Sequence, residues 1–226
     1  MFNNRSALTL ALGLTAAATL FGGNGTARAQ RLSVSASGPE TVTINDKVNK
    51  NQFVWISEAP LENIKGSSEG VTGSFTIDPQ DLSKIRGTIT TETKTMNTGN
   101  GTRNNHLWSS EWLDVAKYPT ISFAITSVDR VAATGNSATA MATGNFTMHG
   151  VTKKMTVPFK LTYIMESDKT RQRAPGDFVM ISADFTISLK DFKVAGSEGT
   201  VGSKVGETIK INAQLFGNVT KKGAAS

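Results

Sequence analysis

The sequence predicts an all-β fold of about eight antiparallel strands with one short helix, arranged as a barrel or a sandwich around an apolar interior. Three observations predict it. Runs of alternating apolar and polar residues recur from Thr41 to Leu215, and side chains on a strand point alternately to its two faces. One run is unusually long: Met155, Val157, Phe159, Leu161, Tyr163 and Met165 share one face, and Lys154, Thr156, Pro158, Lys160 and Thr162 share the other. Ile164 alone breaks that pattern. At ~3.3 Å per residue the run reaches roughly 36 Å, longer than an ordinary strand and suited to the wall of a deep barrel. Third, threonine fills the outward positions, while Gly, Asn-Gly and Asp-Pro close the runs, as a pleated, half-solvated surface requires.

Taken in order, the alternation begins at Thr41-Val42-Thr43-Ile44, then sets Phe53 and Trp55 against Val54 and Ile56. Phe75 and Ile77 form a short run closed by Asp78-Pro79, and Ile85 to Thr95 alternates again. Ser109 to Lys117 reads as the one helix: Ser109 or Ser110 can cap it, Glu111 sits in its first turn, and Pro119 stops it after Tyr118. Ile121, Phe123 and Ile125 resume the strand pattern, followed by Ala138 to Phe146. A glycine-punctuated hairpin at Met148-His149-Gly150 leads into the long strand. A charged loop, Glu166 to Asp177, precedes Val179, Ile181, Ala183, Phe185 and Ile187. The polar loop Gly196 to Lys204 precedes the last run, Ile209 to Leu215.

The N-terminus carries Arg5, an apolar segment from Ala7 to Phe21 and the small-residue site Ala27-Arg28-Ala29, the layout of a secretory signal peptide over residues 1–29. A membrane anchor is the rival, but a spanning helix needs ~20 apolar residues and this segment is shorter. The expectation is therefore a periplasmic or secreted product, with residues 30–226 forming one domain. The absence of cysteine excludes disulfides, thiolate metal sites and a cysteine nucleophile. Formal net charge is +6, and without Arg5 and Arg28 the chain keeps 22 basic against 18 acidic residues. These charges are scattered, with no basic stripe interleaved with aromatics, which argues against a nucleic-acid partner. Peripheral contact with an anionic membrane surface is compatible with them. An outer-membrane barrel would need an apolar outer face and aromatic girdles. Here one face is rich in Lys and Thr, and the chain has 3 Trp and 2 Tyr, so the apolar face belongs inside.

Little in the sequence supports catalysis. Two histidines, His106 and His149, cannot build a His-rich metal site, and His149 lies at a hairpin tip. No G-x-S-x-G elbow, phosphate-cradling loop or dinucleotide fingerprint is present. No catalytic residue, metal or cofactor is expected. His106 is the more suggestive histidine, because Arg103 arrives with it beside Trp108 and Trp112.

Two long motifs carry a resemblance. The first runs from Arg103 and His106-Leu107 to Trp112-Leu113-Asp114-Val115-Ala116-Lys117-Tyr118-Pro119-Thr120-Ile121-Ser122-Phe123. The second is Gly144-Asn145-Phe146-Thr147-Met148-His149-Gly150-Val151-Thr152-Lys153, with a weaker echo at Asp191-Phe192. In this order and spacing the chain resembles the YceI-like family of exported, lipocalin-like polyisoprenoid-binding proteins over roughly residues 40 to 218. The resemblance implies an eight-stranded antiparallel lipocalin-like barrel whose long apolar pocket holds an isoprenoid or another long-chain amphiphile. Asn105 stands where the family usually has an acidic residue, and Gln52-Phe53-Val54-Trp55 where it often has a histidine. These departures bear on the ligand's head group rather than on the pocket.

Inward alternation and the family barrel together assign the pocket wall to Phe75, Trp112, Phe123, Phe146, Met148, Phe159, Leu161, Tyr163 and Phe185. Arg103 and His106 are the head-group candidates: guanidinium forks onto phosphate or carboxylate, and imidazole adds a ring donor. The expected function is binding, storage or transport of a long-chain lipid. The alternatives are a ligand-free periplasmic stress or interaction protein, whose barrel would be plugged by bulky side chains, and an enzyme, which would need convergent titratable groups.

Overall fold

The computed structural model describes residues 30–220; the expected signal peptide lies outside them. Ten strands form one antiparallel sheet: β1 (Glu40–Ile44), β2 (Gln52–Glu58), β3 (Asn63–Ser68), β4 (Val71–Ile77), β5 (Arg86–Glu92), β6 (Thr120–Thr134), β7 (Ser137–Met148), β8 (Val151–Ile164), β9 (Phe178–Ser188) and β10 (Thr208–Thr220). Strand β10 pairs with β1 through residues 217–220 and with β2 through residues 209–214, so these two short strands occupy one edge in succession. On their far side β4 pairs with β1 and β3 with β2. The ten strands therefore make eight staves, two of them interrupted, and the sheet closes on itself as an eight-stranded barrel. Closure leaves no free edge at the seam.

Residue chemistry explains each part. On β8, Val157, Leu161 and Tyr163 are buried while Lys154, Thr156, Pro158 and Lys160 face solvent, so the long alternating run is a barrel wall with its apolar side inward. The β7–β8 connection is a two-residue turn in which His149 and Gly150 both have positive φ, 50° and 72°. That geometry matches the twist of the flanking strands. Glycine is needed at 150 for a second reason: a Cβ there would lie 2.5 Å from the Tyr118 ring. His149 packs edge-on to Tyr118, and its Nδ1 sits 3.1 Å from the Phe192 carbonyl oxygen, which ties the turn to a short 3-10 segment, Lys190–Phe192.

The helix differs from the sequence expectation. Helix α1 spans Gly101–Trp108, and residues 109–117 form successive turns. Asn100 caps α1 by accepting the Arg103 amide at 3.0 Å. Asn104, buried inside the helix, accepts from the Thr98 amide and hydroxyl and donates to Asn97 Oδ1, fixing α1 to the preceding loop. Ser109 ends the helix instead of starting one, its backbone extended and its amide donating to His106 O. Asp114 then takes a positive φ of 44°, which a continuing helix forbids. A second short helix, α2 (Asp168–Arg171), lies in the charged loop behind a Ser167 capping box.

One end of the barrel is closed by a packed core. Leu32, Ile77, Leu82, Leu161, Val179 and Val219 are buried there, with the N-terminal segment held across the end by the Leu32 amide donating to Pro79 O at 2.8 Å. Tyr163, fully buried, belongs to this closed end: its hydroxyl lies 2.6 Å from Glu40 Oε2 and 2.8 Å from Asp177 Oδ2. Burial, reinforced by these two carboxylates, pushes the phenol well above the usual tyrosine range.

Candidate ligand-binding site

The lumen is hollow because of what faces it. The inward positions of β7 read Ala138, Ala140, Ala142 and Gly144 before bulk returns at Phe146 and Met148, and β9 and β10 add Ala183 and Ala213. Ala183 and Ala213 are cross-strand partners, and Ala183 also faces Phe159 on β8. Ala142, Ala183 and Ala213 line the inner chamber and leave volume that larger side chains would fill, while Ala138 and Ala140 pack in the main buried core.

Two chambers occupy the space. The inner one, about 90 Å³, is walled mainly by apolar residues, among them Phe75, Ile89, Phe123, Phe159, Leu161 and Leu215. The outer one, about 460 Å³, opens at the opposite end from the Tyr163 core. Its walls combine Trp55, Leu107, Trp112, Leu113, Met148, Ile187, Ile209 and Ile211, drawn from strand ends, α1 and the following turns. A pocket of this size falls within the range of small-molecule sites, and its apolar wall suits an alkyl or isoprenoid chain.

Charged groups gather only at the outer mouth. Glu62, Thr98, Arg103, His106, Ser197, Thr200 and Lys204 border it. Arg103 Nη1 donates to Glu62 Oε1 at 2.9 Å, joining α1 to the β2–β3 turn. The Leu61 amide donates to Ser203 O at 3.0 Å, joining the same turn to the loop that carries Lys204. Among the described residues Lys204 has no ion-pair partner within 4.0 Å.

The predicted wall residues divide by depth. Phe75, Phe123, Phe159 and Leu161 line the inner chamber, Trp112 and Met148 the outer one, and Phe146 and Phe185 both. Tyr163 lines neither, contrary to expectation. Its face is inward as the alternation requires, but it lies beyond the inner chamber, where its hydroxyl is held by Glu40 and Asp177. Arg103 and His106 both border the outer mouth. Sequence reasoning leaves out Phe53 and Trp55, whose alternation on β2 is plain, and Glu62 and Lys204, which sit on loops where no periodicity points to them. The small inward residues Ala142, Ala183 and Ala213 are the signal that could have announced a hollow barrel.

The family model for the YceI-like domain matches residues 27–216, nearly the whole described barrel. The chain belongs to the YceI-like family. The protein YceI of Salmonella newport (strain SL254) is 29% identical over 194 residues, covering 86% of this chain and 91% of that protein. Among solved structures, BcnA of Burkholderia cenocepacia superposes with a TM-score of 0.60 at 19% identity, covering 74% of this chain and 95% of its own. A polyisoprenoid binding domain from Saccharophagus degradans, implicated in plant cell wall breakdown, superposes at 0.57 with 14% identity, covering 81% of this chain and 100% of its own. At these identities the structural likeness concerns the fold.

The titratable groups that line this YceI-like barrel's outer chamber, Glu62, Arg103, His106 and Lys204, lie at its mouth. Among the described residues no three His, Cys, Asp or Glu side chains are grouped as a metal site. His149 is engaged with Phe192 and Tyr118 away from the outer chamber's wall. What the site offers chemically is a largely apolar interior with its charged groups at the entrance, and one buried donor without a partner among the described residues, Trp55 Nε1, on a residue of the outer chamber's wall. No helix among the described residues is long and apolar enough to cross a membrane.

Proposed function

We propose that the protein binds a long-chain apolar ligand, a polyisoprenoid or a similar amphiphile, with its tail in the lumen and its polar head at the outer mouth. The observation that carries this reading is the outer chamber of about 460 Å³, largely apolar along its walls and charged only at its rim. Burying ~400 Å² of tail at ~25 cal/mol per Å² yields on the order of 10 kcal/mol before ordering costs reduce it. Arg103 and His106 orient the head group, with Lys204 beside them. The hollow lumen supports binding over a ligand-free interaction protein, and the confinement of the lining's titratable groups to the mouth supports a binding role over catalysis.

On this reading the protein is a carrier or store in the periplasm or outside the cell, its residues 1–29 removed on export and residues 30–226 acting as one domain. Leu61, exposed at 72% on the β2–β3 turn, lies beside the mouth next to the Lys204 loop, so brief contact with an anionic membrane surface would present the entrance to a lipid source. Purification from the exporting cell followed by native mass spectrometry and lipid extraction tests the proposal. A stoichiometric long-chain adduct is the expected result. A protein that carries no adduct and also fails to take up an added polyprenol would overturn it.

A further inference from the structure

The two chambers share five wall residues: Phe53, Thr91, Ile121, Phe146 and Phe185. Three are phenyl rings, carried by β2, β7 and β9 around the barrel. Phe146 and Phe185 meet edge-to-face with centroids 6.2 Å apart, and Phe123 lies 6.5 Å from Phe146 on the inner side. Phe146 is buried, while Phe53 and Phe185 are only partly buried and pack against the small residues Ala183 and Ala213. The rings thus stand between a large chamber open to the rim and a small one with no polar wall group beyond Thr90, Thr91 and Ser122.

We propose that Phe53, Phe146 and Phe185 form a septum that sets the tail length this protein accepts; the inference rests on the lumen being a lipid site. A head group held at the rim fixes one end of the ligand, so the depth reached by the tail depends on its length alone. Tails that end within the outer chamber bind with the septum shut. A longer tail must displace the rings to reach the inner chamber, and loses their mutual contact and their packing on Ala183 and Ala213 in doing so. Phe185 is the movable member, because it is the less buried of the touching pair and packs on the cluster of small residues around Ala183 and Ala213, which Phe53, Phe123 and Phe159 also touch. The ligand class is therefore a single-chain amphiphile of bounded length.

The test is a calorimetric series of straight-chain carboxylates from octanoate to docosanoate, titrated into the full mature chain and into its Phe185→Ala and Phe185→Leu variants. In the unaltered protein affinity should rise roughly fourfold per added methylene and then stop rising once the outer chamber is full. In Phe185→Ala the rise should continue to longer chains, with Phe185→Leu between the two; the leucine variant keeps the site packed should alanine destabilise the barrel. Adding Ala213→Leu, which fills the inner chamber alone, should return the Phe185→Ala break point to its original length. A break at the same length in every variant, or no break in the unaltered protein, overturns the septum while leaving lipid binding intact. Absence of binding at every length overturns the lipid reading and the septum with it.

Discussion

The Arg103 guanidinium is bound by the Glu62 carboxylate at 2.9 Å across the outer mouth, so a cation poised at the entrance already has a partner. Both side chains are partly solvent-exposed, and such a pair contributes little to stability. Its consequence is for selectivity. An anionic head group must compete with Glu62, whereas a neutral head group need not.

Replacing Glu62 by Gln should therefore strengthen binding of a carboxylate or phosphate amphiphile severalfold relative to an alcohol with the same tail, with melting temperature little changed. Paired calorimetric titrations of acid and alcohol check this. The Arg103→Gln, His106→Gln double variant should do the reverse, removing head-group discrimination while tail affinity persists. Equal weakening for both ligands would mean that the pair serves the loop and not the ligand.

Phe159→Asp places a carboxylate in the inner chamber among Phe75, Phe123 and Leu215. Burying it there costs several kcal/mol unless it takes up a proton, so the variant should melt well below the parent or fail to fold at neutral pH. Thermal denaturation at neutral and acidic pH checks it, with partial recovery expected on acidification. A variant that melts and binds like the parent would place Phe159 on the outer face and β8 one residue out of register.

Tyr163→Phe should destabilise the barrel by about 1–3 kcal/mol at neutral pH, since it strands an oxygen of Asp177, which is 1% exposed. The pH dependence follows from the upward displacement of the phenol in the fold. A raised folded value stabilises fully below the unfolded tyrosine value of ~10 and loses that contribution as pH rises above it. The stability gap between parent and Tyr163→Phe should thus be constant near neutrality and narrow above about pH 10. Denaturant unfolding of both proteins across that range measures it.

Gly150→Ala should cost about 1–3 kcal/mol, because alanine must adopt φ of 72° and its methyl meets the Tyr118 ring. Urea unfolding measures the loss. A Tyr118→Ala, Gly150→Ala double variant should recover only the steric part of the second effect.

Much of this architecture was legible in the residues, and the parts that were not share a cause. Strands β1, β2, β8, β9 and β10 announce themselves because large apolar side chains mark one face. Strand β3 does not: its inward positions are Ile64, Gly66 and Ser68, and Gly66 is small because the Trp55 indole lies over it, where a Cβ would come within 2.2 Å. The packing that dictates Gly66 comes from a neighbouring strand, which no local pattern displays. The helix was misplaced for a similar reason, since the Asn104 contacts that hold α1 at Gly101–Trp108 are made to Asn97 and Thr98 outside it. For the site, aromatic positions gave the wall, but depth along the barrel axis is a tertiary quantity. Tyr163 and Phe159 look equivalent on one strand face and end up in a packed floor and in the wall of the inner chamber.

The seam between β1 and β10 has a temporal meaning. Thr41 pairs with Thr220 and Ile44 with Gly217, so the barrel is joined by the most sequence-distant contacts in the described chain. Such pairings carry the largest loop-closure penalty and form late. Without β10, β9 and β1 both expose a bare edge and the barrel wall stays open between them. A chain halted before Thr208 would lack the stave that joins β9 to β1 and β2 and would carry edges prone to pairing with its own copies, so closure of the barrel wall waits on synthesis of the final strand.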